Sequence, residues 1–313
     1  MLEPSARERF RWLLRDSLDE LMNGFRTGRW CYQQLSKPEK GNLGVVVAIN
    51  LTREFEIPNG TELDWHIAAS DVGCFFTLDF PGWDIPMSMY KCADHGDLSG
   101  SIDHPALLMW LNDDSSQWAA GLLRISDAKL RTKTDRAAAE VVRAYGRDNC
   151  RRISDPYVDD IFWLWGGVQD DLPENALLHM QPLRRNRIFE DSRSGQARVN
   201  ALFRETLGDL VRRPTVMAVA QQEDAPKRVR DARIKLRPEG IIIMGHQESH
   251  STTARQLGLL VPEKGEWIAA RVTRADHSDP RPKVLIDDEL WAIAARDDPP
   301  APGPQLPKTL QEQ

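Results

Sequence analysis

Carboxylates along the stretch from Asp64 to Phe80, D-W-H-I-A-A-S-D-V-G-C-F-F-T-L-D-F, are the residues of this chain best suited to chemistry. Asp64, Asp71 and Asp79, with Glu54 upstream, could offer the hard oxygens that hold a divalent cation such as magnesium. Phosphodiester cleavage of that kind also takes a nearby cation to steady the attacking water and the developing charge. The stretch supplies none, and no lysine lies between Lys40 and Lys91. His66 stands alone beside an acid and reads as structural. His246 and His250 flank Glu248, but H-Q-E-S-H follows a strand-like run and lacks the helical H-E-x-x-H form, so it is not read as a metal site.

A second group of residues is cationic. Lys227, Arg228, Arg230, Arg233, Lys235 and Arg237 interleave with small and apolar residues, which suits contact with phosphates. Arginine can also grip guanine N7 and O6 bidentately. Gln221 and Gln222, just upstream, could read or bridge to bases, and Arg26, Arg29 and Lys37 make a smaller patch near the N-terminus. Residues 184–237 hold fourteen Lys/Arg against seven Asp/Glu, so this segment carries +7 and the rest of the chain −13 of a net −6. A cationic segment in an acidic protein is the footprint of a local polyanion site.

The elements that must position these groups follow from periodicity. Phe10, Leu13, Leu14, Leu18, Leu21, Met22 and Phe25 recur at helical spacing, predicting one helix over residues 5–25. Residues 37–55 suit a second helix, apolar nearly all round from Leu43 to Leu51 and therefore expected to be buried. Pro58-Asn59-Gly60 is a turn, after which 63–67 and 74–80 read as adjoining strands. Further strands are expected at 105–111, 118–125 and 162–166, with a helix at 135–145. The glycine-rich, acidic run 166–173 marks a domain break. Beyond it lie a helix at 195–207, an ambiguous segment at 214–222, a buried strand at 241–244, and strands at 267–272 and 284–293. The plan is α/β or α+β, divided into 1–171, a linker 172–179, a second domain 180–296, and a Pro-rich tail 297–313 expected to be disordered.

Composition narrows the classes. At 313 residues the chain can build two domains with their own cores. No apolar run approaches the roughly 18 residues that span a bilayer, and the charged N-terminus lacks the apolar core of a secretory signal. Cys31, Cys74, Cys92 and Cys150 have no C-x-x-C spacing, which argues against a zinc site and a disulfide framework and for a reduced cytoplasm.

Several segments together resemble the NaeI-type restriction endonucleases over nearly the whole chain: R-T-G-R-W (26–30) with Q-L (34–35), I-N-L-x-R-E-F (49–55), G-Q-A-R-V-N-x-L-F-R (195–204), V-A-Q-Q-x-D (219–224), K-R-V-R (227–230) and L-R-P-E-G-I-I-I-x-G-H-Q (236–247). The resemblance implies an N-terminal restriction-endonuclease-like fold, a mixed sheet flanked by helices, and a C-terminal DNA-binding domain with a helix-turn-helix or winged-helix module. It also implies a homodimer on a GC-rich palindrome of double-stranded DNA, in a bacterial cytoplasm at the nucleoid. Carried over residue by residue, Asp64 matches the family's first strand acid. Gly73 stands where the next acid belongs, Phe75 where the lysine belongs, and Ala48 where a helix would supply a glutamate. The expectation drawn from those four positions is a degenerate site with no catalytic residue, no metal and no cofactor. The protein would then read its site, or the modification state of that site, without cutting. Two alternatives stand beside it. One is an active magnesium-dependent type II endonuclease with relocated acids, sensitive to changes at Asp64 or Asp71. The other is a non-catalytic subunit of a restriction-modification or repair complex.

Overall fold

The computed structural model describes residues 5–87, 104–190 and 194–306. The first expected helix is in fact two. α1 (Ala6–Met22) buries Phe10, Leu13, Leu14, Leu18 and Met22 along one stripe. Asn23 then turns left-handed at φ 49°, and α2 (Gly24–Thr27) sets off anew, closed by Gly28 at φ 71°. This break is where the chain changes unit. One compact unit comprises Met1–Leu21 and Leu35–Glu174, the other Met22–Gln34 and Asn175–Gln313. The N-terminal chain thus makes a short excursion into the second unit that the periodicity does not reveal.

In the first unit, α3 (Lys37–Gly41) and α4 (Leu43–Glu54) replace the single expected helix, parted at Asn42. Ser36 and Glu39 form a capping box at the start of α3. α4 buries Leu43, Val47 and Leu51, whereas Val45 and Ile49 are 58% and 50% exposed, so the helix is buried on one side and not all round. The strands are β1 (Trp65–Ile67), β2 (Ser70–Thr77), β3 (Asp84–Pro86), β4 (Pro105–Asn112), β5 (Gln117–Arg124), β6 (Thr132–Asp135), β7 (Glu140–Arg143), β8 (Cys150–Arg152) and β9 (Phe162–Trp163). Five of them make a mixed sheet ordered β1-β2-β4-β5-β9, with β2 and β4 parallel and the other neighbours antiparallel. Phe75, Leu108 and Trp110 lie on one face and pack into a core with Trp83, Ile85 and Ile153. α4 packs against β2, where Gly44 lets the helix approach Phe76.

The helix expected at 135–145 is the hairpin β6–β7. Its alanines made it look helical, but Thr132 and Thr134 pair with Arg143 and Val141 across the ladder. The Asp135 carboxylate accepts from the amides of Ala137 and Ala138 and sets the turn, which is what short acidic side chains do best.

The second unit adds α5 (Ala176–His179), α6 (Pro182–Phe189), α7 (Gly195–Glu205), β10 (Leu210–Arg212), α8 (Arg213–Ala220), α9 (Ala225–Leu236), β11 (Ile241–Met244), α10 (Glu248–Gln256), β12 (Glu266–Ala275), β13 (Lys283–Ile286) and β14 (Glu289–Ile293). The ambiguous segment is the helix α8. Ile241 and Ile243 point into one core with α7, α8 and α9, while Ile242 and Met244 point into another with Leu257, Val284 and Trp291. A strand covered on both faces reads as an unbroken apolar run, and I-I-I-M is one. The tail expected to be disordered over 297–313 is ordered over 297–306, and 307–313 lie outside the described residues. Arg281 pairs with Asp298 at 2.6 Å, the amide of Gly303 donates to the Arg237 carbonyl at 2.8 Å, and Leu306 packs on the second core. Among the described residues no helix is long and apolar enough to cross a membrane.

Candidate functional site

The acids of the first unit have very different surroundings. Asp64 sits one residue before β1, half-buried, and its Oδ2 accepts from the amide of Cys74 on β2 at 2.7 Å. Burial raises its pKa, partly offset by that hydrogen bond. Around it, Trp65 donates to the Thr52 hydroxyl, and Thr52 in turn donates to the Ala48 carbonyl, tying β1 to α4. Gly73 is paired with Ala106 in the parallel ladder and buried, and Phe75 is 7% exposed in the core. Of the four positions singled out in the sequence, Asp64 alone carries a charge.

The other acids are already engaged. Asp71 Oδ2 accepts from the amides of Thr61 at 2.9 Å, Glu62 at 2.7 Å and Leu63 at 3.4 Å, and its Oδ1 lies 2.9 Å from His66 Nδ1. Those amides, the Glu62 amide first, and the His66 ring hold its carboxyl far below the usual carboxylate range. Asp71 is thus a pin for the 61–63 turn, and His66 is its partner and not a lone ring. Glu54 pairs with Arg9 at 2.7 Å and Asp79 with Arg152 at 3.2 Å. Among the described residues no three His, Cys, Asp or Glu side chains converge on one point, so they do not fit a preformed metal cage.

The Asp71 pin has a testable consequence. A carboxyl with a depressed folded-state pKa contributes stability above the ordinary value of about 4 and loses it as pH falls through the folded value. Asp71→Asn is expected to lower the melting temperature at pH 7 and to flatten the acid limb of the stability profile below about pH 4. Thermal melts from pH 2 to 8 on both proteins check this.

In the second unit the structure sorts the basic cluster by its partners. α8 and α9 are joined by a four-residue turn that begins at Gln221, left-handed at φ 53° and exposed. Asp224 caps α9 by accepting from the Lys227 amide at 3.1 Å. Ala225, Val229, Ala232 and Leu236 are the buried face. At 100° per residue, Lys227 lies opposite the buried face, with Lys235 to one side of it and Arg230, Arg233 and Arg237 to the other; Lys227, Arg230, Lys235 and Arg237 are exposed and Arg233 is half-buried. Arg228 is half-buried, donating to Gln196 Oε1 at 3.3 Å with Asp231 4.0 Å away. Arg233 donates through Nε to the Ile243 carbonyl at 2.8 Å, and its Nη2 lies 3.5 Å from His250 Nδ1. His250 lies in the first turn of α10, is buried, and burial together with the Arg233 charge takes its pKa down to about 4. These contacts make Arg228 and Arg233 partly structural.

The N-terminal patch is divided. Arg26 and Arg29 belong to the second unit and Lys37 to the first. α2 packs on α8 so closely that a Cβ on Gly24 would lie 2.6 Å from that of Ala218. Gly28 is left-handed, and the Gln221 side chain occupies the place its Cβ would take. The segment is anchored behind by Asn175, which donates to the Trp30 carbonyl at 2.6 Å, and by the Arg185 guanidinium 4.4 Å from the Trp30 ring. Arg26, exposed over the Phe25 ring, is thereby set near the turn that carries Gln221 and Gln222. Sequence reading missed this; the only signals were the two glycines of G-F-R-T-G.

Comparison with known proteins bears on what these groups do. The profile of the family described as Restriction endonuclease NaeI matches residues 2–302. The Type II restriction enzyme NaeI of Lentzea aerocolonigenes is 39% identical over 99% of this chain and 92% of its own length. These likenesses overturn the expectation of a pseudoenzyme that reads DNA without cutting it and needs no cofactor. That expectation treated four positions as the whole catalytic apparatus. Magnesium keeps several waters and is held by as few as one or two carboxylates together with substrate phosphates. Uncharged residues at Ala48, Gly73 and Phe75 therefore do not decide the chemistry.

Proposed function

Since the chain belongs to the NaeI restriction endonuclease family, we propose that it is a type II restriction endonuclease that binds double-stranded DNA and cleaves it in the presence of magnesium. The observation that carries this reading is the 39% identity to a restriction enzyme, which runs through both units and is not confined to a DNA-binding module. The mixed sheet with α4 on one face supports a restriction-endonuclease-like fold for the first unit. The α8-turn-α9 pair supports a helix-turn-helix in the second. Asp64 is the acid we assign to the cleavage centre; Ala48, Gly73 and Phe75 supply nothing to it.

DNA contact is assigned to Lys227 and Lys235 on α9, Gln221 and Gln222 in the turn, and Arg26, exposed side chains with no carboxylate partner among the described residues. A GC-rich palindrome bound by a homodimer is taken from the family resemblance, and Arg26 is the guanidinium of this set able to grip guanine bidentately. A DNA substrate places the protein in the bacterial cytoplasm.

The test has two arms. Duplex affinity is expected to fall steeply with salt, and Lys227→Ala and Lys235→Ala each to reduce the slope of log K against log salt by about 0.9. Strand breaks are expected with magnesium and not with EDTA. Intact strands with both magnesium and manganese, on a duplex the protein binds, would overturn the nuclease reading and leave the DNA-binding one standing.

A further inference from the structure

The face of α9 that carries Arg230, Arg233 and Arg237 closes one side of a cavity of about 410 Å³. Arg230, Arg233 and Arg237 line it from the helix, β11 forms its floor, and the chain at 304–306 is the opposite wall. Three arginines line this space, and no acidic residue is among the described ones that line it. The acids of the neighbourhood are committed elsewhere. Glu239 holds Arg204 through two hydrogen bonds of 2.6 and 2.7 Å, and Asp231 faces Arg228. Like charges gathered in a partly enclosed space repel one another unless an anion joins them.

The remaining lining is not that of a bare phosphate site. Ile234, 73% exposed, and Leu306 present apolar surface on opposite sides, and Gln305 offers a carboxamide. The volume lies near the lower end of the 300–1,000 Å³ typical of small-ligand pockets and is generous for an inorganic anion. We infer that this cavity is an anion site for one nucleotide unit, a deoxynucleoside 5′-phosphate. Arg230 and Arg237 hold the phosphate, and the base lies between Ile234 and Leu306 within reach of Gln305. Arg233, fastened to the Ile243 carbonyl and to a neutral His250, sets the third charge in place. Such a unit can arrive as a free nucleotide or as a nucleotide swung out of a DNA strand. The site is separate from Asp64 and does not depend on the chain being a nuclease.

Calorimetric titration of the full chain with dGMP, dCMP and inorganic phosphate tests it. Saturable nucleotide binding is expected at submillimolar Kd, with phosphate at least tenfold weaker. Arg230→Ala and Arg237→Ala should each weaken the nucleotide at least tenfold, with melting temperatures within 2 °C of the parent as the check on folding. Competition then names the source. Displacement of dGMP by a duplex with one bulged nucleotide, and not by the fully paired duplex, supports a nucleotide of a DNA strand. Displacement by neither supports a free one. The inference is overturned if no nucleotide binding saturates, if phosphate binds as tightly, or if both variants bind as the parent does.

Discussion

Asp64→Asn is expected to cut DNA at least 100-fold more slowly than the parent protein while binding the same duplex within about twofold. The substitution keeps the size of the side chain and an oxygen able to accept from the Cys74 amide, so the β1–β2 pair should stay in place. What it removes is the one negative charge left among the four family positions. Removing a single well-placed electrostatic group from an active site costs about 10²–10³ in rate. The other acids near it do not offer a substitute of equal freedom: Asp71 is held by three amides and His66, Glu54 by Arg9, and Asp79 by Arg152. Single-turnover cleavage of an end-labelled duplex, with a binding isotherm on the same duplex, separates loss of chemistry from loss of affinity. Parental cleavage by the variant would move the centre away from Asp64. Rebuilding the family pattern at Phe75 is expected to fail for a different reason. That ring is in the core, so Phe75→Lys would bury an unpaired ammonium and unfold the sheet before it could contribute to catalysis.

Arg15→Ala is expected to destabilise the first unit by about 3–5 kcal/mol, the usual cost of breaking a buried ion pair by removing one partner. Arg15 lies within α1, its side chain 1% exposed, and bridges Asp113 after β4 at 2.5 Å and Asp19 one turn further along the helix at 2.8 Å. Asp113 is 6% exposed in its side chain and would be left as a buried carboxylate without its guanidinium. Urea unfolding followed by tryptophan fluorescence is suited to the measurement, because Trp118 and Trp165 pack around Phe10 of the same helix. The paired change Arg15→Met with Asp113→Leu should recover most of the loss, since two apolar side chains of similar volume need no counter-charge. Failure to recover would mean that the pair also fixes how α1 meets the β4–β5 turn.

How much of this was legible in the sequence depends on whether the deciding contact was local. The apolar run at Ile241 announced a strand directly, because burial on both faces leaves that pattern, whereas the alternation at Leu63, Trp65 and Ile67 found β1 without matching its burial, since Leu63 precedes the strand and Ile67 is 42% exposed. The alanines before Val141 gave a false helix, since propensity is overruled once Thr and Val side chains find cross-strand partners. The Pro-rich tail looked disordered, yet backbone contacts at Gly303 and the packing of Leu306 hold it, and neither leaves a local signature. At the candidate site, Asp64 and the basic run at 227–237 were visible as residue types. Their division was not. That Asp71 serves the 61–63 amides, that Arg233 serves Ile243, and that Arg26 joins the second unit are all set by chain segments that meet only in the fold.

Whether this protein cuts DNA is read most directly from cleavage itself. The purified full-length chain is incubated with a library of end-labelled GC-rich palindromic duplexes in magnesium, in manganese and in EDTA, and the strands are resolved on a denaturing gel. Discrete breaks are expected in a subset of duplexes with either metal and none in EDTA, with Asp64→Asn leaving those duplexes whole. Full-length strands in every lane, on duplexes that the same preparation shifts on a native gel, would contradict the nuclease reading.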